Sequence, residues 1–172
     1  MVALWGASGR GGAVVDDAEA VRGMVERHLA RAGFSVRTAC TETEGLREAR
    51  VADVVIIDLA MQTKGLGGLA LIRRIRSHNP RARILVFSMH SDPMIVVRAL
   101  EAGATGYVIK DTSSKELVEA FEEVRACTPH LRNALAMQVA RVGTGGTHHP
   151  RRDLTTRALG VWPQRISHCA LP

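Results

Sequence analysis

Val54-Val55-Ile56-Ile57-Asp58 is the stretch on which the fold turns. Four β-branched residues run without interruption into one carboxylate. An unbroken apolar run of this length suits a strand buried on both faces, as in a parallel sheet. Asp58 then stands at the carboxyl end of that strand, the edge at which open α/β sheets bind ligands. An acid buried there is costly without a partner. What the chain delivers to Asp58 therefore decides what the protein does.

Upstream, Met1 to Gly12 is glycine-rich and reads as loop. Ala13-Val14-Val15 is a short strand candidate ending in Asp16-Asp17. Val21, Val25 and Leu29 recur at helical spacing, so Ala18 to Ala32 reads as an amphipathic helix, with Asp17 as a candidate cap and Gly33 as its stop. Phe34 to Ala39 is a second strand. Thr41 and Glu44 have capping-box spacing and open a helix to about Arg50.

Downstream, Gln62 to Gly68 is a loop. Leu69, Ile72 and Ile75 mark a helix stopped at Asn79-Pro80. Ile84-Leu85-Val86-Phe87 is a strand ending in Ser88. Pro93 begins a helix that runs to Ala102. Gly106 to Ile109 is the fifth strand, ending in Lys110. Ser113 and Glu116 open the helix carrying Leu117, Val118, Phe121 and Val124.

Strand and helix thus alternate five times. That pattern predicts a flavodoxin-like, doubly wound five-stranded parallel sheet with helices on both faces, in the order 2-1-3-4-5. Residues 13–127 form this domain. Residues 128–142 read as a linker helix bearing Leu131, Leu135, Met137 and Val139. Residues 143–172 read as a flexible basic tail.

Composition excludes several classes. Hydrophobic content of 46% with 23% charged residues is ordinary for a globular chain. No apolar run approaches the ~18 residues of a membrane span, and the first residues make a poor signal peptide. The three cysteines are too far apart for a metal site. The expected location is cytoplasmic. The net charge of +6 permits nucleic-acid contact without showing it.

The strand ends deliver Asp16, Asp17, Asp58, Ser88 and Lys110 to one edge. Crowded carboxylates need a cation, and a hard oxygen set suits Mg²⁺. Lys110 adds positive charge beside Asp58. This set favours phosphoryl transfer, with Asp58 as nucleophile through an acyl phosphate and Ser88 as a hydrogen-bond donor to a phosphoryl oxygen. Each residue alone has a plainer reading: Asp16 and Asp17 as helix caps, Ser88 as a turn residue, Tyr107 as half-buried packing, Lys110 as a surface lysine. The coincidence of all of them at one edge outweighs those readings.

Asp16-Asp17, Asp58, Ser88 and Lys110, in that order at successive strand ends, resemble the receiver domain of two-component response regulators. Phe87 to His90 and Ala99 to Asp111 are most similar to the NarL/FixJ subfamily, whose output module is a LuxR-type helix-turn-helix. The resemblance implies that Asp58 accepts a phosphoryl group from a sensor histidine kinase. It implies Mg²⁺ held by Asp17, Asp58 and the backbone carbonyl of Ala60, with Asp16 acting mainly through water. It makes Ser88 and Tyr107 a switching pair and brings Lys110 to the phosphoryl group. The implied output is a change in protein contacts that regulates transcription, with homodimerisation as one form of it. The implied chemistry is confined to the protein's own phosphorylation and dephosphorylation, without enzymatic turnover.

Three departures accompany the resemblance. The first strand is short and glycine-rich. Gln62 stands where a proline is common, and the Thr63 to Gly68 loop is about two residues long for the family, an insertion of small energetic cost. Asp153 to Val161 resembles the opening of the output module, but Ala158 takes the place of a glutamate and Trp162-Pro163 interrupts the next helix. The tail is therefore read as a remnant that cannot place a recognition helix in a major groove. Two alternatives remain: DNA binding through the basic tail, and a Mg²⁺-dependent phosphatase with an aspartate nucleophile. The second lacks any segment long enough to cap a substrate pocket.

Overall fold

A computed structural model describes residues 11–61 and 67–144. In chain order the elements are β1 (Gly11–Val15), α1 (Glu19–Arg31), β2 (Ser35–Ala39), α2 (Glu42–Glu48), β3 (Val54–Ile57), α3 (Gly67–His78), β4 (Ile84–Ser88), α4 (Pro93–Ala102), β5 (Gly106–Ile109), α5 (Ser114–Arg125), β6 (His130–Leu131) and α6 (Asn133–Thr144). The strands form one sheet in the order β2-β1-β3-β4-β5-β6, every pairing parallel. The expected 2-1-3-4-5 core is present, and β3 lies at its centre.

Alternation along the strands divides the core in two. Val55 and Ile57 of β3, with Val15, Val86 and Tyr107, face α3 and α4 through Leu71, Ile72, Ile75, Val96 and Ala99. Val54 and Ile56, with Val14, Leu85 and Val108, face α1 and α5 through Val25, Leu29, Leu117, Phe121 and Val124. Phe34 and Phe121 meet at 4.8 Å between ring centroids on this second face. Each such buried aliphatic side chain contributes about 1.5–3 kcal/mol, which is how a chain with few aromatics is held together.

The sheet has six strands, one more than the alternation in sequence predicts. The segment read as a helix over 128–142 begins with β6, which pairs with Gly106 and Tyr107 of β5. Cys127 turns the chain with φ 63°, and Pro129 biases Thr128 towards extended backbone. A two-residue strand is too short to show alternation in sequence. Leu131 therefore lies in the sheet, and Met137 is exposed on α6. Among the described side chains of α6, Leu135 and Val139 reach the core, where the helix packs against α4. The helix continues to Thr144, two residues into the stretch read as a flexible tail; the rest of the 143–172 tail, and Gln62 to Leu66, lie outside the described residues.

Glycine in β1 is a packing requirement. A Cβ on Gly12 would stand 2.7 Å from Cε2 of Phe121, so the bare backbone lets α5 close on the sheet. The strand starts two residues earlier than expected because Asp53 pins it. The Gly11 amide donates to Asp53 Oδ2 at 3.0 Å, and the Asp53 amide donates to the Gly11 carbonyl at 2.8 Å. Gly68 plays a comparable part at the functional edge. A Cβ there would collide with the Asp58 carbonyl and lie 2.7 Å from Leu59 Cα, so α3 can approach the end of β3 only with glycine at this point.

Helix ends follow the sequence signals in most places. Thr41 Oγ1 accepts from the Glu44 amide, Ser113 Oγ from the Glu116 amide, and Asp92 Oδ1 from the Met94 amide. Asp17 does not cap α1. The N-cap position is Ala18, whose amide donates to Asp16 Oδ1 at 2.8 Å. Among the described residues no helix is long and apolar enough to cross a membrane.

Candidate functional site

Strand order decides which residues meet. The chain leaves the carboxyl ends of β1 and β3 in opposite directions across the sheet, the arrangement at which open α/β sheets bind ligands. Backbone bonds extend the ladder one residue past each strand: the Asp58 amide donates to the Val15 carbonyl, and the Lys110 amide to the Ser88 carbonyl. The side chains that follow β1, β3 and β5 are therefore held over one edge.

Asp16 and Asp58 are buried there, at 1% and 4% exposure, while Asp17 is exposed. One carboxylate oxygen from each of Asp16, Asp17 and Asp58 lies within 4.8 Å of the others. Lys110 reaches in from the end of β5. Its Nζ is 2.8 Å from Asp16 Oδ2 and 3.2 Å from Asp58 Oδ2, with the side chain 11% exposed. One ammonium thus faces two buried carboxylates. Asp58 Oδ1 is buried and has no hydrogen-bond partner among the described residues. A buried carboxylate oxygen left unpaired is expensive, and a divalent cation or an incoming electrophile would offset that cost. The hard, carboxylate-only donor set fits Mg²⁺.

The structure brings Asp16, Asp17, Asp58 and Lys110 together. Ser88 ends the neighbouring strand, fully buried, and its Oγ accepts from the His90 amide at 3.4 Å. Tyr107 stands on β5 opposite Val86 of β4. It is wholly buried, against the expectation of half-burial, and its hydroxyl donates to the His90 carbonyl at 2.7 Å. Ser88 and Tyr107 therefore both hold the loop from β4 to α4. Ala60 is exposed two residues beyond Asp58.

Burial pushes the Tyr107 phenol up to about 12; the Ser88 hydroxyl opposes the rise, and the charges of Asp58 and Asp92 add to it. An unfolded tyrosine ionises near pH ~10. The stability that neutral Tyr107 contributes is therefore complete below ~10 and is lost as pH rises towards the folded value, by about 2–3 kcal/mol across that window. Tyr107 is the single tyrosine, so absorbance titration of the phenol reads it alone. Urea unfolding of the wild type should weaken more steeply above pH ~10 than that of Tyr107→Phe; parallel decline would refute the assignment.

One residue escaped the sequence reading. Arg22, in the first turn of α1, donates from Nη1 to the Asp16 carbonyl at 2.7 Å and to the Asp17 carbonyl at 3.0 Å. The available signal was an arginine one turn beyond paired acids, which spacing alone does not distinguish from a solvated helix residue.

Comparison with known proteins agrees with this geometry. Residues 13–122 match the family model described as the response regulator receiver domain. The methanol utilization control regulatory protein MoxX of Paracoccus denitrificans is 36% identical over 140 residues, covering 77% of this chain and 62% of MoxX. The chain thus spans less than two thirds of that relative. The response regulator UvrY of Escherichia coli strain K12 is 28% identical over 155 residues, covering 86% of this chain and 70% of UvrY. A LuxR-family two-component response regulator from Aurantimonas sp. SI85-9A1 superposes with a TM-score of 0.72 at 34% identity, covering 78% of this chain and 98% of that structure.

Proposed function

Because the chain belongs to the response regulator receiver domain family, we propose that Asp58 is its phosphoryl acceptor and that a sensor histidine kinase is the donor. The observation that carries this reading is the asymmetry of Asp58: Oδ2 is held by Lys110, and Oδ1 is buried without a hydrogen bond among the described residues. A carboxylate oxygen attacks phosphorus and forms an O–P bond. The N–P bond to the donor imidazole breaks, and its electron pair returns to that nitrogen. Lys110 stays beside the transferring oxygens and offsets their charge. Asp16, Asp17 and Asp58, with the Ala60 carbonyl, would hold Mg²⁺, Asp16 mainly through water. When bound, the ion supplies positive charge against the crowded carboxylates and the phosphoryl oxygens.

Ser88, at the end of the neighbouring strand, would turn its hydroxyl towards a phosphoryl group on Asp58. That movement would give up its bond to the His90 amide and disturb the loop that Tyr107 also holds. The surface formed by α4, β5 and α5 would then exist in two populations with different affinity for partners. Regulation of transcription through protein contacts follows, in the cytoplasm where such a kinase presents its phosphohistidine. Residues 13–127 would be the receiver and 128–142 the linker. The chemistry is limited to gaining and losing the protein's own phosphoryl group. Incubation with acetyl phosphate and Mg²⁺ should add one phosphoryl group by intact mass. An unchanged mass would overturn the proposal.

A further inference from the structure

We propose that Arg22 is a positioning residue for the paired carboxylates Asp16 and Asp17, a reading that rests on the metal site proposed above. Asp16 is fixed from several sides. Its amide donates to the Ala39 carbonyl, its Oδ1 accepts from the Ala18 amide, and its Oδ2 accepts from Lys110. The exposed Asp17 lies on the turn that follows. Arg22 Nη1 carries two N–H bonds and directs them to the carbonyls on either side of the Asp17 α-carbon. Two adjacent peptide planes held by one planar group fix the direction in which that α-carbon presents its side chain.

The placement is electrostatically unusual. A cation in the first turn opposes the helix dipole. Helical side chains lean back towards the N-terminus, so a residue one turn into α1 reaches the preceding turn without straining the helix. The gain that offsets the dipole is the pair of carbonyl bonds together with the neighbouring acids. The same charge would, by itself, repel a metal ion from the acids. Position and charge therefore act on Mg²⁺ affinity with opposite signs, and variants separate them.

The full chain, Arg22→Lys and Arg22→Gln should be titrated with Mg²⁺ while the amide resonances of Asp16, Asp17 and Asp58 are followed by NMR. A second readout is the initial rate of phosphorylation by acetyl phosphate at low and saturating Mg²⁺. If Arg22 positions the carboxylates, Arg22→Lys, which keeps the charge, binds Mg²⁺ about tenfold more weakly, the worth of one charge-assisted hydrogen bond. Arg22→Gln, which also removes the repulsion, binds it more weakly than the wild type by a smaller factor. Their phosphorylation rates then recover at saturating metal. Arg22→Lys keeps the charge and is the variant least prone to unfolding. Unchanged affinity in Lys with tighter binding in Gln would mean that only charge matters, and would overturn the proposal. Lower thermal stability with unchanged Mg²⁺ affinity in both would overturn it too, leaving a structural clasp. A wild-type protein that shows no response to Mg²⁺ would instead sink the metal-site reading, and this one with it.

Discussion

Asp58→Asn is expected to take up no phosphoryl group and, in the absence of metal, to be more stable than the wild type. The two effects share one cause. Asp58 is buried, its Oδ1 lacks a partner among the described residues, and Asp16 and Asp17 stand within reach. Among the described residues its ion-pair partner is Lys110, at 3.2 Å, and Lys110 is closer to Asp16, at 2.8 Å. Asparagine keeps the shape, removes one of three crowded charges and adds two donors. The amide cannot form an acyl phosphate. The lost ion pair is partly offset, because Lys110 keeps Asp16. The net gain should be about 1–2 kcal/mol, typical of relieving a site whose chemistry conflicts with folding. Urea unfolding in a chelating buffer measures it. Added Mg²⁺ should narrow the gap, since the metal stabilises the protein that binds it more tightly. A variant less stable than wild type without metal would show that crowding at Asp58 is not a cost.

The fold was legible because its decisive signals are local. The run Val54 to Ile57 announces a doubly buried strand, and five alternations of strand and helix leave few topologies. The acids, Ser88 and Lys110 could be assigned to one edge because each stands where an apolar run ends. Other features were hidden for physical reasons. β6 is two residues long, and its partner is an edge that sequence does not display. The true extent of β1 depends on Asp53, 42 residues away from Gly11, and on a ring of α5 lying over Gly12. Long-range bonds of that kind override strand propensity. Tyr107 could not be told from packing because its hydroxyl bonds a backbone carbonyl, which no side-chain pattern encodes. Arg22 was missed for the same reason: it acts on carbonyls of the acids and not on their carboxylates.

Lys110→Met should move stability in the opposite direction. It leaves Asp16 and Asp58 buried without the cation that both now share. Removing one partner of a buried pair typically costs about 3–5 kcal/mol, and Lys110 serves two partners. The methionine fills a comparable volume, so the loss measured by urea unfolding reports charge more than packing. Mg²⁺ should restore part of it, because the metal replaces the missing positive charge. Phosphoryl uptake from acetyl phosphate should persist, since Asp58 remains, but fall on the order of a hundredfold, the usual effect of deleting one group that stabilises developing charge. The double variant Asp58→Asn/Lys110→Met gives the sharper result. With one carboxylate already gone, losing the lysine strands only Asp16. The double variant should therefore be more stable than the sum of the single effects predicts, by about 1–3 kcal/mol of coupling. Strict additivity would mean that Lys110 and Asp58 do not compensate each other, and the electrostatic account of the site would fail at its centre.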